Sequence, residues 1–155
     1  MAVKPIPQGY HVVTPYLVIQ EAANAIDYYK KVFGATVKVR MDDPSTKKVG
    51  HAELQIGDSV IMLADEHPEM GFRSPQSLGG SPVSLLIYVD NVDTVFSRAI
   101  SAGGKQLRPV ADQFYGDRNG TLADPFGHIW TVATHVEDVT PEEMKRRMAA
   151  QFQHA

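Results

Sequence analysis

The chain repeats the same order of structural signals at a spacing of 70 residues. Residues 14–33 and 84–103 align without a gap. Each holds an apolar run, a polar corner and an apolar stripe of helical period that stops at glycine. Few residues are identical between the two segments, so the repeat is one of pattern. A repeat of this kind predicts two similar half-domains with a site between them.

The first half predicts four strands and one helix in the order β-α-β-β-β. Apolar runs and alternating patterns predict strands at 12–19, 36–41, 49–56 and 59–65, with a helix over 22–33. Pro15 favours an edge or a bulge for the first strand, because proline donates no ladder hydrogen bond. Only Gly57 and Asp58 separate the last two strands, which is typical of a two-residue hairpin turn.

The second half predicts the same order of elements. Strands are expected at 83–89, from 107, at 118–123 and at 128–134. Asp90 is the expected N-cap of the helix, which stops at Gly103 and Gly104. The Asp-Pro-Phe-Gly segment at 124–127 is a strong turn signal between the last two strands.

The predicted fold class is α+β, with two βαβββ modules that form a half-open barrel-like cleft and a helix at the carboxyl end. The chain of 155 residues is expected to be one domain, with module 1 at about 10–66, a linker at 67–82, module 2 at about 83–136 and the helix at about 140–153. Three signals agree on where that helix begins: Thr140 as N-cap, Pro141 at the first helical position and Glu143 three residues after the cap.

Composition excludes several classes of function. The formal net charge of -3 does not favour nucleic acid as a partner, and the absence of cysteine removes disulfides and thiolate sites. No apolar run approaches 18 residues, and the first residues lack the apolar core of a signal peptide. A soluble cytoplasmic protein without a membrane partner is therefore expected.

Particular segments add a family resemblance. The run from Ala25 to Ala35 and the segment Asp124-Pro-Phe-Gly-His-Ile-Trp130, within two βαβββ modules, resemble the vicinal-oxygen-chelate superfamily of glyoxalases, bleomycin-resistance proteins and dioxygenases. The segments at 51–54, 115–118 and 140–143 are similar to its PhnB-like branch. The resemblance implies a homodimer that binds a small molecule.

The resemblance also implies where a divalent metal would bind. In the metal-dependent members each module supplies one ligand from its first strand and one from its last, and the ligands are His, Glu or Gln. The matching positions are Thr14, Met62, Ser84 and Thr131, none of which is a good ligand for such a metal. We therefore expect the usual metal site to be absent and no cofactor to be bound, although a metal bound elsewhere stays open.

Hairpin geometry extends this set, because cross-strand partners share a face of the sheet. The first hairpin pairs Glu53 with Met62, so His51 and Glu53 lie on the same face as Met62. The second hairpin is expected to pair Gly120 with Thr131, which puts Arg118 on the face of Thr131. Strand alternation adds Tyr16 beside Thr14 and Tyr88 beyond Ser84. With the loop residue Tyr115, the expected ligand-binding residues are Thr14, Tyr16, Met62, Ser84, Tyr88, Tyr115, Arg118 and Thr131.

Two functions remain open for this cleft. The first is metal-free binding of a small polar or anionic molecule, in which Arg118 binds a carboxylate or phosphate. The second is a lyase, isomerase or oxygenase-type enzyme in which Glu53 and His51 act as an acid-base pair or hold a relocated divalent metal. Structural alternatives also stay open, since Arg118 and Glu53 could form an ion pair and His51 could have no chemical role.

Overall fold

The computed structural model describes residues 2–153, which form two compact units. The first unit holds the chain up to Ser81 together with Pro125–Gly127, and the second holds Pro82–Asp124 and the chain from His128 onward. Each unit contains an open four-stranded mixed sheet and is built in the order β-α-β-β-β. The predicted α+β class, the two modules and the helix at the carboxyl end are confirmed.

The first unit packs one helix against one face of its sheet. Its elements are β1 (Tyr16–Ile19), α1 (Ala22–Phe33), β2 (Thr36–Asp42), β3 (Val49–Ile56), β4 (Ser59–Asp65), a 3₁₀ turn (Pro68–Met70) and α2 (Pro75–Leu78). The sheet order is β1-β4-β3-β2, with β1 parallel to β4 and the other pairs antiparallel. The first strand begins at Tyr16 rather than at residue 12, because the chain before Pro15 does not join the ladder.

Strand alternation gives the first sheet a packed face and an open face. The packed face contributes fully or nearly fully buried side chains such as Leu17, Leu54 and Leu63 to the core shared with α1. The carboxylate of the buried Asp65 holds this corner together, because it accepts hydrogen bonds from the backbone N–H of Ala22 at 2.9 Å and of Val49 at 2.7 Å. The Asp65 carboxylate therefore caps the start of α1, where the side chain of the N-cap residue makes no capping hydrogen bond.

The second unit repeats this arrangement. Its elements are β5 (Ser84–Tyr88), α3 (Val92–Ser101), β6 (Lys105–Asp112), β7 (Asp117–Ala123), β8 (Ile129–His135) and α4 (Pro141–Phe152), and the sheet order is β5-β8-β7-β6. The predicted cap of α4 is confirmed, since the Thr140 hydroxyl accepts from the Glu143 N–H at 3.2 Å. The predicted cap of α3 is wrong by one residue: Asn91 rather than Asp90 accepts from the Thr94 N–H, at 3.1 Å.

The expected register of the second hairpin is also wrong by one residue. The prediction treated 124–127 as a four-residue turn, whereas Asp124 bonds to His128 and only three residues lie between them, ending in Gly127 at a φ of 92°. The carboxylate of Asp124 fixes this turn by accepting from the backbone N–H of His128 and from Trp130 Nε1, both at 3.0 Å. Thr131 consequently opposes Thr121 instead of Gly120.

The segment predicted as a linker is anchored to the first unit by Glu66. This largely buried carboxylate accepts from the Ser74 N–H at 2.8 Å, from the Ser77 hydroxyl at 2.7 Å and from Gln20 Nε2 at 2.8 Å. These hydrogen bonds, that from the Ser74 N–H above all, lower the pKa of Glu66 to about 2. The segment from Pro68 to Leu78 is therefore held by charge-assisted bonds. Throughout residues 2–153, each helix is too short or too polar to span a membrane.

We predict that Gly120→Val destabilises the protein by about 1–3 kcal/mol, because a side chain there overpacks the space under α3. A Cβ atom at Gly120 would lie 2.9 Å from both Phe96 Cε2 and Val110 Cγ2. Urea unfolding gives the free energy, with Ala111→Val on the exposed edge strand β6 as the control. Equal stability of the two variants would show that this close approach is not a constraint.

We also predict that Glu66 makes folding stability sensitive to acid. Its pKa is lower in the folded state, so its stabilising effect is present above its ordinary pKa and is lost as the pH falls from about 4.5 to about 2. Wild type should therefore exceed Glu66→Gln in free energy of unfolding at neutral pH, and the difference should shrink across that window. A difference that stays constant with pH would contradict the role of Glu66.

Candidate functional site

The open face of the first sheet carries four of the predicted site residues. Met62 lies between Tyr16 on β1 and Glu53 on β3, and His51 follows on the same face two residues before Glu53. The predicted register of the first hairpin, with Glu53 opposite Met62, is confirmed. Because cross-strand partners share a face, these side chains stand on the side of the sheet away from α1.

Glu53 is the centre of a hydrogen-bonded chain of four side chains on this face. Tyr10 donates its hydroxyl to Oε2 of Glu53, and Nε2 of His51 lies 3.0 Å from Oε1. Nδ1 of His51 lies 2.9 Å from the hydroxyl of Tyr16. In the tautomer with its proton on Nε2, His51 donates to Glu53 and accepts from Tyr16, which satisfies every member of the chain.

These contacts keep Glu53 ionised. The hydrogen bond from Tyr10 is the largest cause that lowers the pKa of Glu53, and the bond from His51 is the next. The same carboxylate raises the pKa of Tyr10, so that hydroxyl remains protonated as a donor. The Glu53 side chain is only 13% exposed, and it offers a shielded anionic acceptor.

A cavity of about 390 Å³ opens beside Glu53 within the first unit. Its walls are Pro5, Ile6, Pro7, Tyr10, His11, Val12, Thr14, Glu53 and Met62. The segment before β1 is therefore part of the site, which sequence reasoning missed, because that segment lies outside the 70-residue repeat and has no periodicity. Two further contacts hold it: His11 Nε2 lies 2.8 Å from the Asp58 carbonyl, and Lys38 Nζ lies 4.9 Å from the Tyr10 ring centre.

The second unit has a different polar set on the open face of its sheet. The hydroxyl of Tyr88 donates to the buried Asp117 at 2.9 Å, and Asp117 also accepts from His135 Nδ1 at 2.8 Å. His135 Nε2 lies 2.8 Å from Asp138, and Asn119 donates to the hydroxyl of Tyr115 at 2.7 Å.

Asp117 and then Asp138 raise the pKa of His135, because both carboxylates favour its charged form. Sequence reasoning missed both Asp117 and His135, although Asp117 lies inside the segment 115–118 that it singled out.

Arg118 does not lie where the sequence predicted. It opposes Thr134, and its side chain forms ion pairs with Asp93 of α3 at 2.8 Å and with Asp112 of β6 at 3.2 Å. The one-residue change of register is the reason, because such a shift moves every side chain of a strand to the other face. The predicted position of Arg118 on the face of Thr131 is therefore wrong.

The positions that match the superfamily's metal ligands do not fit a divalent ion. Thr14 donates its hydroxyl to the His11 carbonyl at 3.2 Å, and Met62 offers only a thioether. Ser84 lies exposed at the start of β5, and the Thr131 hydroxyl lies 2.9 Å from that of Thr121. Hydroxyl and thioether groups are poor substitutes for carboxylate and imidazole. Within residues 2–153, no group of three His, Asp or Glu side chains could hold a metal ion.

The fold agrees with a comparison to known families. Residues 10–132 match the Glyoxalase/Bleomycin resistance protein/Dioxygenase superfamily, and the chain belongs to it. An uncharacterized protein of Mycobacterium bovis is 42% identical over 141 residues, which cover 89% of this chain and 92% of that protein.

Solved structures share the fold. A crystal structure from Pseudomonas aeruginosa superposes with a TM-score of 0.65 at 23% identity, over 81% of this chain and 98% of that one. The PhnB protein of Bacillus cereus superposes with a TM-score of 0.63 at 20% identity, over 80% of this chain and 99% of that one. At these identities the similarity is one of fold.

We predict that Tyr10→Phe raises the pKa of Glu53 toward its usual range, because the variant removes the hydrogen bond that lowers it most. Carboxyl ¹³C chemical shifts followed against pH measure the change. Tyr16→Phe is the matched control, since its hydroxyl contacts His51 rather than Glu53. An unchanged titration of Glu53 in Tyr10→Phe would contradict the direct hydrogen bond.

Proposed function

We propose that this chain is a small-molecule-binding protein of the PhnB-like branch that binds its ligand without the superfamily's usual metal site. The ligand is a small polar molecule that donates a hydroxyl or amino hydrogen to Glu53. The hydrogen bond from Tyr10 to Glu53 at the border of the cavity carries this proposal.

The branch is supported by three segments that surround the functional side chains. The segment 51–54 supplies His51 and Glu53, and the segment 115–118 supplies Tyr115 and Asp117. The segment 140–143 begins α4. The support for the branch is the sequence resemblance of these three segments, two of which also carry hydrogen-bonded side chains of the open faces.

The chemistry of the ligand is supported by what Tyr10 itself does. Its phenol hydroxyl is an intramolecular donor to Glu53, so a ligand with a similar donor can take its place. Ile6, Val12 and Met62 give the cavity apolar walls, which suit the body of a small organic molecule.

The anionic ligand predicted from the sequence loses its main support. That prediction depended on Arg118 as a partner for carboxylate or phosphate, and the guanidinium is instead paired with Asp93 and Asp112. At the first unit's cavity the shielded charge is the carboxylate of Glu53. A neutral or donor-rich ligand is therefore favoured there over an anion.

The same side chains support a second candidate function, which is acid-base catalysis of the lyase or isomerase type. The supporting observation is the His51 ring, which joins Glu53 to the hydroxyl of Tyr16. Such a chain could accept a proton at one end and supply one at the other. The homodimer, the cytoplasmic location and the absence of a cofactor stay predictions.

We predict that p-cresol binds the first unit through Glu53, and that 4-methylanisole, in which a methyl group replaces the hydroxyl hydrogen and so removes the donor, binds about tenfold more weakly or not at all. Amide chemical shifts of the full chain give both the affinity and the location. Glu53→Gln should weaken p-cresol binding by a similar factor, whereas Tyr10→Phe should strengthen it because a competing donor is removed.

Three outcomes would reject Glu53 as the recognition group or favour catalysis over binding. Equal binding of p-cresol and 4-methylanisole would reject Glu53 as the recognition group. Equal binding of p-cresol by wild type and Glu53→Gln would do the same. Exchange of the p-cresol ring protons ortho to the hydroxyl for deuterium in D₂O, if it is lost in His51→Gln, would favour the catalytic candidate over simple binding.

A further inference from the structure

The second unit contains a histidine that is fixed on one side and lightly held on the other. His135 Nδ1 lies 2.8 Å from Asp117, and its Nε2 lies 2.8 Å from Asp138. Asp117 is 5% exposed and is also bound by the Tyr88 hydroxyl, so it orients the imidazole from a fixed position. Asp138 is fully exposed and lies in the loop after β8.

This difference makes the Nε2 side of His135 available to a ligand. An ion pair between exposed groups is screened by water and is lost at little cost. The bond to Asp117 is shielded, and a second donor supports it. Asp138 can therefore swing into solvent while His135 stays in place with its Nε2–H directed outward.

A cavity of about 480 Å³ is lined in part by the same histidine. Its walls are Tyr88, Val89, Asp90, Thr134 and His135, all in the second unit. The side of Tyr88 offers an apolar surface, since the residue is 62% exposed although its hydroxyl is bound. The cavity therefore combines a positively charged donor with an aromatic wall.

We infer that this cavity is a second ligand site, which takes a small monocarboxylate with an apolar body. The ligand carboxylate accepts from Nε2–H of His135 in the place now taken by Asp138, and its apolar body packs on the ring of Tyr88. In the structure this nitrogen is already paired with the carboxylate of Asp138, which shows that a carboxylate can accept its hydrogen bond.

The charges around the site limit the ligand to one carboxylate. Asp117 balances the imidazolium of His135, so the nearest pair is neutral as a whole. The exposed Asp90 stands on the wall of the same cavity and repels a second negative group. A dicarboxylate or a phosphate ester is therefore disfavoured, and a molecule of the size of benzoate fits the charge and the volume.

This inference is independent of the proposed function. The two sites lie in different units and use different side chains, with an anionic acceptor at Glu53 and a cationic donor at His135. The two probes also have opposite hydrogen-bonding character, so either site can fail its test without the other.

Titration of the full chain with benzoate tests the inference, with amide and imidazole chemical shifts as the readout. We expect shifts at Tyr88, Val89 and His135, and about three- to tenfold tighter binding by Asp138→Ala, because removal of the internal competitor raises the population that can bind. His135→Gln should bind benzoate about tenfold more weakly, because it loses a charged donor. Glu142→Gln, an exposed carboxylate change on α4, is the matched control and should bind as wild type does.

Several results would overturn the inference. Unchanged affinity in Asp138→Ala would show that Nε2 is not the carboxylate-binding group, and shifts confined to the first unit would place benzoate elsewhere. Benzylamine, which has the same ring and the opposite charge, should not shift these residues, and binding equal to that of benzoate would also reject the site. If His135→Gln fails to fold, the Asp138→Ala and benzylamine results still decide the matter.

Discussion

In the described part of the chain, α1 and α3 each pack against a sheet, and the alternation of side chains then divides the inner strands β3, β4, β7 and β8 into a packed set and an open set. The chemistry of both units depends on that division. On β3 and β4, the buried Leu54 and Leu63 alternate with Glu53 and Met62. The same strands therefore supply core residues on one face and site residues on the other. A change of register by one residue would exchange the two sets, which is why the carboxylate of Asp124 at the β7–β8 turn has consequences along the whole hairpin.

The sequence predicted the fold well because its signals agree at several levels. The repeat, the helical stripes and the two-residue turn at Gly57 predicted both modules and the first hairpin's register, and Thr140 predicted where α4 begins. It failed at Arg118 because a three-residue and a four-residue turn look alike in the segment 124–127, and the two differ in which face each strand residue occupies. Tyr10 and His135 could not be assigned, because their roles come from tertiary contacts that no periodic pattern reports.

The two units use one scaffold for different chemistry. Glu53 opposes Met62 in the first unit and Thr121 opposes Thr131 in the second, so Glu53 and Thr121 are equivalent by register. Two residues earlier, His51 is equivalent to Asn119 in the same way. The acidic group of the second unit is Asp117, which lies a further two residues from the hairpin turn and at the position that Val49 holds in the first unit. The two units therefore share a backbone arrangement, while their titratable groups occupy different positions along the strands.

The segment before β1 gives the cavity of the first unit a wall that belongs to no strand or helix. Pro5, Ile6 and Pro7 border the same space as Tyr10 and Glu53, and their backbone is held to the sheet by a few side-chain contacts rather than by a ladder. Any polypeptide joined ahead of these residues would emerge at the rim of the cavity. An affinity tag at that end is thus a potential occupant or obstacle, and ligand measurements are best made on protein tagged after α4 or freed of its tag.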